Sequence, residues 1–275
     1  GDVKKVAFHP HSDDVISCSY DDTLRVWQIQ DDDWYNSITL ADSSSTVWDF
    51  NFTKNAKFLA TVSDDHNIRI YSHDPAQPIP KQWKYLINSP IAQRTIFSVS
   101  VSNQFFPPQT HTHTIPDDAV SSNKYTIYAI PHATPNKFRY FVGLAPCFGF
   151  IATGSGDNNV IITEMVREID EVTLKQSKHP QISFDNVIHL DSNQFTAVRQ
   201  PKYQQPKELL PPGEVEAVDE DTSTDDQQQQ ASKHQTIEDI INPLPPDISG
   251  LVTTLTIHNA HLCDVNCVAW NPKIG

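Results

Sequence analysis

An internal repeat with an offset of 44 residues constrains the fold of this chain more than any other feature. The stretch SCSYDDTLRVW, which ends at Trp27, aligns with TVSDDHNIRIY, which ends at Tyr71, and with TGSGDNNVIIT, which ends at Thr163. A second motif precedes each copy: DVKKVAF, which begins at Asp2, recurs as TVWDFNF, TIFSVSV and DVNCVAW. Self-similarity at such a period indicates a repeat architecture.

Each repeat is predicted to supply four short β-strands. Leu24 and Val26 lie on one face of an alternating segment, and Arg25 and Trp27 lie on the other, which is the period of a strand. The groups DWYNSITL and QWKYLIN add a further strand to the first two repeats. Four strands in about 44 residues are typical of a β-propeller blade. The sequence therefore predicts an all-β propeller.

The repeats divide the chain into three predicted blades, 2–41, 42–90 and 91–258, and the first strand of another, 259–275. Because propellers carry about four to eight blades, three cannot close a ring. We therefore expect an incomplete arc, which is a fragment of a longer propeller. A subunit that closes its ring by association is the alternative.

Two long insertions interrupt the third predicted blade. Residues 103–144 are expected to form an inserted loop or hairpin. The second insertion spans residues 167–250. Its stretch Lys207–Asp239 holds ten acidic residues, two lysines and a glutamine tract. Low hydrophobicity and high charge do not offset the entropy of ordering, so this second insertion is expected to be largely disordered.

The charge and the cysteines limit the partners and the compartment. The net charge of -14 argues against nucleic acid as a partner, since such binders carry a basic patch. No apolar run reaches the length of a membrane span, so no membrane partner is expected. Four scattered cysteines do not resemble a secreted disulfide framework. A cytoplasmic location, with the nucleus as a second compartment, is therefore expected.

The repeated turn and strand residues resemble those of the WD-repeat family. In that family a turn aspartate accepts hydrogen bonds from a strand serine, an aromatic N–H and a loop histidine. The resemblance implies that an equivalent network holds each blade together here. The expected members are Ser19, Asp21, Trp27, Ser63, Asp65, Tyr71, Ser155, Asp157 and the loop histidine His261. Ser43 replaces the histidine in the second repeat, so that network is expected to lack one member, and Thr163 replaces the aromatic residue in the third.

A narrower resemblance concerns SYDDTLRVW, the following DDDWYNSITL and the final AHLCDVNCVAWNPK. These pieces resemble the WD-repeat subunits of the cytosolic iron–sulfur protein assembly machinery. The resemblance implies a seven-bladed ring and a non-catalytic adaptor of the targeting complex, which delivers clusters by protein–protein docking. Its expected partners are the other subunits of that complex and recipient apoproteins. The alternatives are another WD-repeat scaffold, such as a ubiquitin-ligase receptor or a chromatin adaptor, and a propeller enzyme.

No catalytic, cofactor-binding or metal site is predicted. Asp21 and Asp22 fit a tight turn, where an aspartate side chain caps nearby backbone N–H groups. Cys263 and Cys267, with His261, form only a weak metal-binding pattern, because structural sites usually have four ligands in closer pairs. The pair His111 and His113 is interpreted as part of a surface loop. The segment GSGDNN leads into a strand and so lacks the helix N-terminus of a phosphate loop.

Partner-binding residues are expected where loops meet at the mouth of the central channel. In this family the residue before the turn aspartate and the residues that open each first strand point there. The candidates are Arg94, Tyr20, Asp64, Asp2 and Thr46. Arg94 ranks first because arginine is favoured at interface hot spots. A solvated charge on the rim is the alternative for Arg94.

Overall fold

The computed structural model describes residues 1–102, 126–143, 150–176, 187–191, 195–197 and 248–270. The first sheet contains β1 (Val3–Phe8), β2 (Val15–Ser19), β3 (Leu24–Gln30) and β4 (Asp33–Leu40). The second contains β5 (Val47–Phe52), β6 (Phe58–Ser63), β7 (Asn67–His73) and β8 (Trp83–Pro90), with a 3-10 turn at Ile79–Lys81. In both sheets the strands pair antiparallel in chain order.

The third sheet is built on the same plan from strands that are far apart in sequence. Its members are β9 (Ile96–Val101), β12 (Phe150–Ser155), β13 (Val160–Ile169) and β16 (Gly250–Ile257), which pair antiparallel in that order. The pairing register between the third and fourth strands shifts by a β-bulge or irregularity at the same position of each repeat, at Trp27, Tyr71 and Thr163. The all-β arc of propeller blades predicted from the repeats is confirmed.

The turn between the second and third strands has the same backbone in all three sheets. Asp22, His66 and Asn158 have φ angles of 67°, 68° and 67°. Only glycine adopts this left-handed region freely, and asparagine, aspartate and histidine tolerate it better than other residues. The position after the turn aspartate is therefore restricted by conformation, although its side chain varies.

Two apolar cores join neighbouring sheets. The core between the first and second sheets includes Leu24, Val26, Phe50 and Tyr71. The core between the second and third includes Ile68, Leu86, Ile96 and Ile151. Because the residues of both cores alternate along their strands, each sheet packs both of its faces except at the two ends of the arc. Val6 and Phe8 lie at one such end and are 58% and 69% exposed.

An accessory sheet extends the third blade. Beyond its pairing with β12, the long strand β13 pairs with β11 (Phe138–Gly143), which forms a hairpin with β10 (Ile127–Pro131). Strand β14 (Val187–His189) adds to β10 in parallel, and helix α1 (Glu171–Gln176) follows β13. Strand β15 (Phe195–Ala197) pairs with the outer side of β16. No helix in these described parts is long and apolar enough to cross a membrane.

These elements fall within the two predicted insertions. Residues 126–143 of the first insertion form the hairpin, and 103–125 lie outside the described residues. The second insertion is ordered at residues 167–176, 187–191, 195–197 and 248–250, contrary to the expectation of disorder. Ile169, Leu174 and Phe195 of these segments are buried against the accessory sheet. Residues 177–186, 192–194 and 198–247 lie outside the described part.

The predicted first strand of a further blade is not formed as a strand. Asp264–Trp270 lies along β9 without ladder pairing, and the backbone N–H groups of Val268 and Trp270 donate to the hydroxyls of Ser98 and Ser100 at 3.2 and 3.1 Å. The backbone N–H of Val265 donates to the carbonyl of Ser155 at 3.1 Å, but this single bond and the two bonds to side chains do not make the ladder that a strand requires. Residues 271–275 lie outside the described residues.

Candidate functional site

The turn aspartate of the second blade lies at the centre of a buried polar network. Asp65 accepts hydrogen bonds from the hydroxyl of Ser63 and from the guanidinium of Arg69. The backbone N–H and the hydroxyl of Ser44 donate to its other oxygen at 3.0 and 3.1 Å. Burial raises the pKa of Asp65, but these hydrogen bonds outweigh burial and hold the pKa well below its ordinary value.

This arrangement differs from the expected network at two points. The second blade is expected to lack a loop donor, but Ser44 supplies one, and the hydroxyl of Ser43 is buried without a partner. Tyr71 neighbours Asp42 and Tyr85, with its ring 5.7 Å from that of Tyr85. Burial is the main cause that raises the pKa of Tyr71. Tyr71 therefore acts as a core residue and is not one of the hydrogen-bond donors to Asp65.

In the first blade the indole is bonded to a different serine from the one predicted. The Nε1–H of Trp27 donates to Ser17 Oγ at 2.8 Å, and Ser19 Oγ accepts from the backbone N–H of Asp21 at 3.2 Å. The strand register explains this, because Trp27 pairs opposite Val15 and its near neighbour on that strand is Ser17. Asp21 is bound by Thr23 and Arg25, separately from the indole.

The third blade keeps the serine–aspartate contact. Ser155 donates to Asp157, and the backbone N–H of Gln93 donates to the other carboxylate oxygen at 3.0 Å. Gln93 occupies the position of Ser44, so the loop donor recurs as a backbone group in two blades. The hydroxyl of Thr163 is buried without a partner. His261, the expected loop histidine, is exposed in the segment that precedes Asp264.

Sequence reasoning missed the arginines of this network. Arg25 and Arg69 each lie four residues after the turn aspartate and pair with it. The signal was present, because the spacing Asp-x3-Arg occurs in both of the first two repeats. In the third repeat Ile161 takes the place of the arginine.

A row of large side chains runs from the first blade to the third. We call it the mouth strip, after the predicted channel mouth, and its members are Tyr20, Lys4, Trp48 and Phe97. Lys4 Nζ lies 5.5 Å from the ring centre of Tyr20 and 4.8 Å from that of Trp48. The rings of Trp48 and Phe97 meet edge to face at 5.2 Å. Cation–π and edge-to-face contacts of this kind hold the side chains in a fixed arrangement.

Three of the five predicted partner-binding residues lie within, beside or near one end of this strip. Tyr20 is a member and is 62% exposed. Asp2 lies next to Lys4, with its carboxylate 3.7 Å from Lys4 Nζ. Arg94 is exposed near the far end, where a Cβ on Gly156 would lie 3.3 Å from Phe97 and 3.6 Å from Cβ of Arg94.

The other two predicted residues serve the fold. Thr46 is only 5% exposed, and its carbonyl accepts the backbone N–H of Asp64 at 2.9 Å. Asp64 accepts hydrogen bonds from the hydroxyls of Thr95 and Ser45. Because Thr95 belongs to the third blade, Asp64 links two blades and does not present a free carboxylate. Both residues therefore contribute to the fold, and their role in partner binding stays a prediction.

The residues missed at the mouth are Lys4, Trp48 and Phe97. They occupy one repeat position, two residues after the start of each first-strand motif. Large side chains at the same position of successive blades were the available signal. The next repeat position, held by Lys5, Asp49 and Ser98, joins the blades. Lys5 Nζ donates to Asp49 Oδ1 at 2.7 Å, and Ser98 Oγ donates to Asp49 Oδ2 at 3.1 Å.

Among the described residues, no group of three or more histidine, cysteine or acidic side chains is arranged to hold a metal ion. Cys263 and Cys267 are exposed free cysteines, and Cys18 is buried. Burial raises the pKa of the Cys18 thiol to about 12, which keeps it protonated. Cys147, His111 and His113 lie outside the described residues.

Comparison with known proteins agrees with this geometry. The family described as WD domain, G-beta repeat matches residues 1–28 and 35–72. A 51-residue segment is 47% identical to a probable cytosolic iron-sulfur protein assembly protein CIAO1 homolog from Ixodes scapularis. That alignment covers 18% of this chain and 16% of the length of the relative. The family match therefore falls within the first two blades of the arc, and these blades are similar to WD repeats.

Proposed function

We propose that the chain is a non-catalytic WD-repeat adaptor of the cytosolic iron–sulfur protein assembly machinery. The observation that carries this proposal is the 47% identity over 51 residues to a relative whose name includes iron-sulfur protein assembly. In this role the blades position a surface that docks the other subunits of the targeting complex and the recipient apoproteins in the cytoplasm. The chain makes and breaks no bonds in this mechanism.

The mouth strip is the surface that we assign to docking. Tyrosine, tryptophan and arginine are enriched at interface hot spots; Tyr20 and Trp48 belong to the strip, and Arg94 lies near its far end. Trp48 Nε1 is buried without a hydrogen-bond partner. Lys4 lies between two aromatic rings and beside Asp2, so the strip offers both apolar area and charge. Such a surface matches a protein partner better than a small substrate.

Affinity purification of the full-length protein from cells tests this proposal. We expect iron–sulfur assembly factors to be recovered with the wild type and to be lost with Trp48→Ala. Recovery of ubiquitin-ligase subunits or chromatin proteins instead, with no iron–sulfur factors, would show that the chain is a different WD-repeat scaffold.

A further inference from the structure

The outer edge of the third blade carries an additional strand. In the first and second sheets the outermost strands, β4 and β8, end the sheet. In the third sheet the equivalent strand, β16, is paired on its outer side by β15. The register places Phe195 opposite Val252, and the next two residues opposite Leu251 and Gly250. Three residues from the long insertion thus form a fifth, antiparallel strand of this blade.

One aromatic side chain anchors this short strand. Phe195 is 8% exposed, and its ring centre lies 4.2 Å from that of Phe141. Val166 and Val252 belong to the same apolar cluster. The anchor is therefore enclosed by residues of β11, β13 and β16, all of which lie outside the strand that carries it.

The absence of a side chain at Gly250 makes room for the ring. A Cβ on Gly250 would lie 2.6 Å from Cζ and 2.9 Å from Cε2 of Phe195. Such distances are well inside van der Waals contact, so even an alanine at this position would displace the ring. Gly250, Phe141, Val166 and Val252 therefore line a pocket for the Phe195 ring beside the outer edge of β16.

This combination is the one by which proteins recognise extended peptides. Main-chain hydrogen bonds to a sheet edge supply affinity, and a side-chain pocket supplies specificity. The geometry points to the outer edge of β16 and the Phe195 pocket as a binding site for an extended peptide segment that carries an aromatic side chain. The chain's own residues 195–197 occupy this site in the structure, and a partner protein that presents such a segment competes with them.

The tether determines how strongly the two segments compete. A segment on the same chain has an effective concentration in the millimolar range, so an external peptide binds well only when β15 is detached. Phe195→Ala removes the anchor and leaves Gly250, Phe141 and Val166 in place. This variant therefore exposes the site to an external ligand.

A fluorescently labelled peptide of residues 190–199, LDSNQFTAVR, is the probe, and fluorescence anisotropy with the whole chain is the measurement. We expect the Phe195→Ala chain to bind the peptide and the wild-type chain to bind it at least about tenfold more weakly. A peptide in which the phenylalanine is replaced by alanine should not bind. Equal binding by the wild type and by Phe195→Ala would overturn the proposal.

The pocket is tested by adding Gly250→Ala to the Phe195→Ala chain. We expect this double variant to lose peptide binding, because the added methyl group fills the space of the ring. Leu255→Ala on the same Phe195→Ala chain is the matched control, because Leu255 is exposed on β16 beyond the part that pairs with β15. Binding that survives Gly250→Ala, or that Leu255→Ala abolishes equally, contradicts the site.

A second variant covers the case in which Phe195→Ala does not fold. Thr196→Pro disfavours ladder pairing of β15 and leaves every pocket residue unchanged. If neither variant folds, β15 is an essential strand of the sheet and no exchange takes place, so the proposal is wrong. The site shares no residue with the mouth strip, and its result is independent of the proposed function.

Discussion

Arg69 pairs with Asp65 in a setting where 4% and 8% of the two side chains are exposed. The same spacing in the first blade, Arg25 with Asp21, leaves 41% and 33% exposed. Ser44 and Ser63 complete the coordination of Asp65, whereas Asp21 is bound mainly by Thr23 and Arg25. The same motif therefore forms a surface ion pair in the first blade and a buried ion pair in the second.

This difference predicts unequal costs for the same substitution. Arg69→Met leaves the Asp65 carboxylate buried without its cation, which should lower the free energy of unfolding by about 3–5 kcal/mol. Arg25→Met should lower it by no more than about 1 kcal/mol, because exposed ion pairs contribute little. Chemical denaturation of both variants measures the two values. Equal losses would contradict the buried character of the Arg69 pair.

The indole bond of the first blade predicts a difference between two neighbouring serines. Ser17→Ala leaves Trp27 Nε1–H without its acceptor, so it should cost about 1–3 kcal/mol of stability. Ser19→Ala removes the acceptor of the Asp21 N–H and a hydrogen bond to the exposed Asp21 carboxylate, and it should cost less. The two melting curves decide between the observed network and the predicted one, in which Ser19 would be the more costly substitution.

A buried carboxyl in the third blade predicts that stability falls as pH rises. Glu164 accepts a hydrogen bond from the hydroxyl of Tyr128 at 2.6 Å, and burial raises its pKa from an ordinary value of 4.5 to about 7. The folded chain therefore holds the proton more tightly than the unfolded chain does. Its contribution is complete below about pH 4.5 and is lost as pH rises through about 7.

Glu164→Gln keeps an acceptor for Tyr128 and removes the titration. The stability of the wild type relative to this variant should fall by about 3 kcal/mol across that range, at about 1.4 kcal/mol per pKa unit. Tyr128→Phe removes the hydrogen bond that lowers the pKa of Glu164, so its decline should extend to higher pH. The measurement is denaturation at a series of pH values, and parallel curves for the wild type and Glu164→Gln would refute it.

The mouth strip predicts a specific loss of binding. Trp48→Ala removes the ring that contacts both Lys4 and Phe97, and hot-spot truncations cost about 2 kcal/mol or more, roughly thirtyfold in Kd. Trp34→Ala is the control, because Trp34 is 49% exposed on β4, the outer strand of the first blade. Binding to purified partner proteins should fall for the first variant alone. A similar loss for both would point to the outer edge of the blade.

Much of the blade architecture could be predicted because its signals are local. The alternation of Leu24 and Val26 is enough to indicate a strand, and the recurrence of Ser19, Asp21 and Trp27 indicates the repeat. The donation by Ser44 to Asp65 could not be predicted, since it depends on the path of a short loop. The partner of Trp27 depends likewise on the pairing register between β2 and β3, which the repeat alone does not specify.

The accessory sheet could not be predicted from the sequence, for a different reason. Val187–His189 pairs in parallel with Ile127–Pro131, across about 60 residues, and neither segment resembles the repeat. Composition predicts that an acidic, glutamine-rich segment has little apolar surface to bury. It does not reveal that three isolated residues, Ile169, Leu174 and Phe195, complete cores formed elsewhere in the chain.

The continuity of β13 has a consequence for how the third blade opens. Its first residues pair with β12, and its last residues, Val166 to Ile169, pair with β11 of the accessory sheet. An insertion that prolongs an existing strand shares that strand's cooperative unit, whereas one that leaves through a loop can open by itself. Amide hydrogens along the whole of β13 should therefore exchange with solvent together, as one unit.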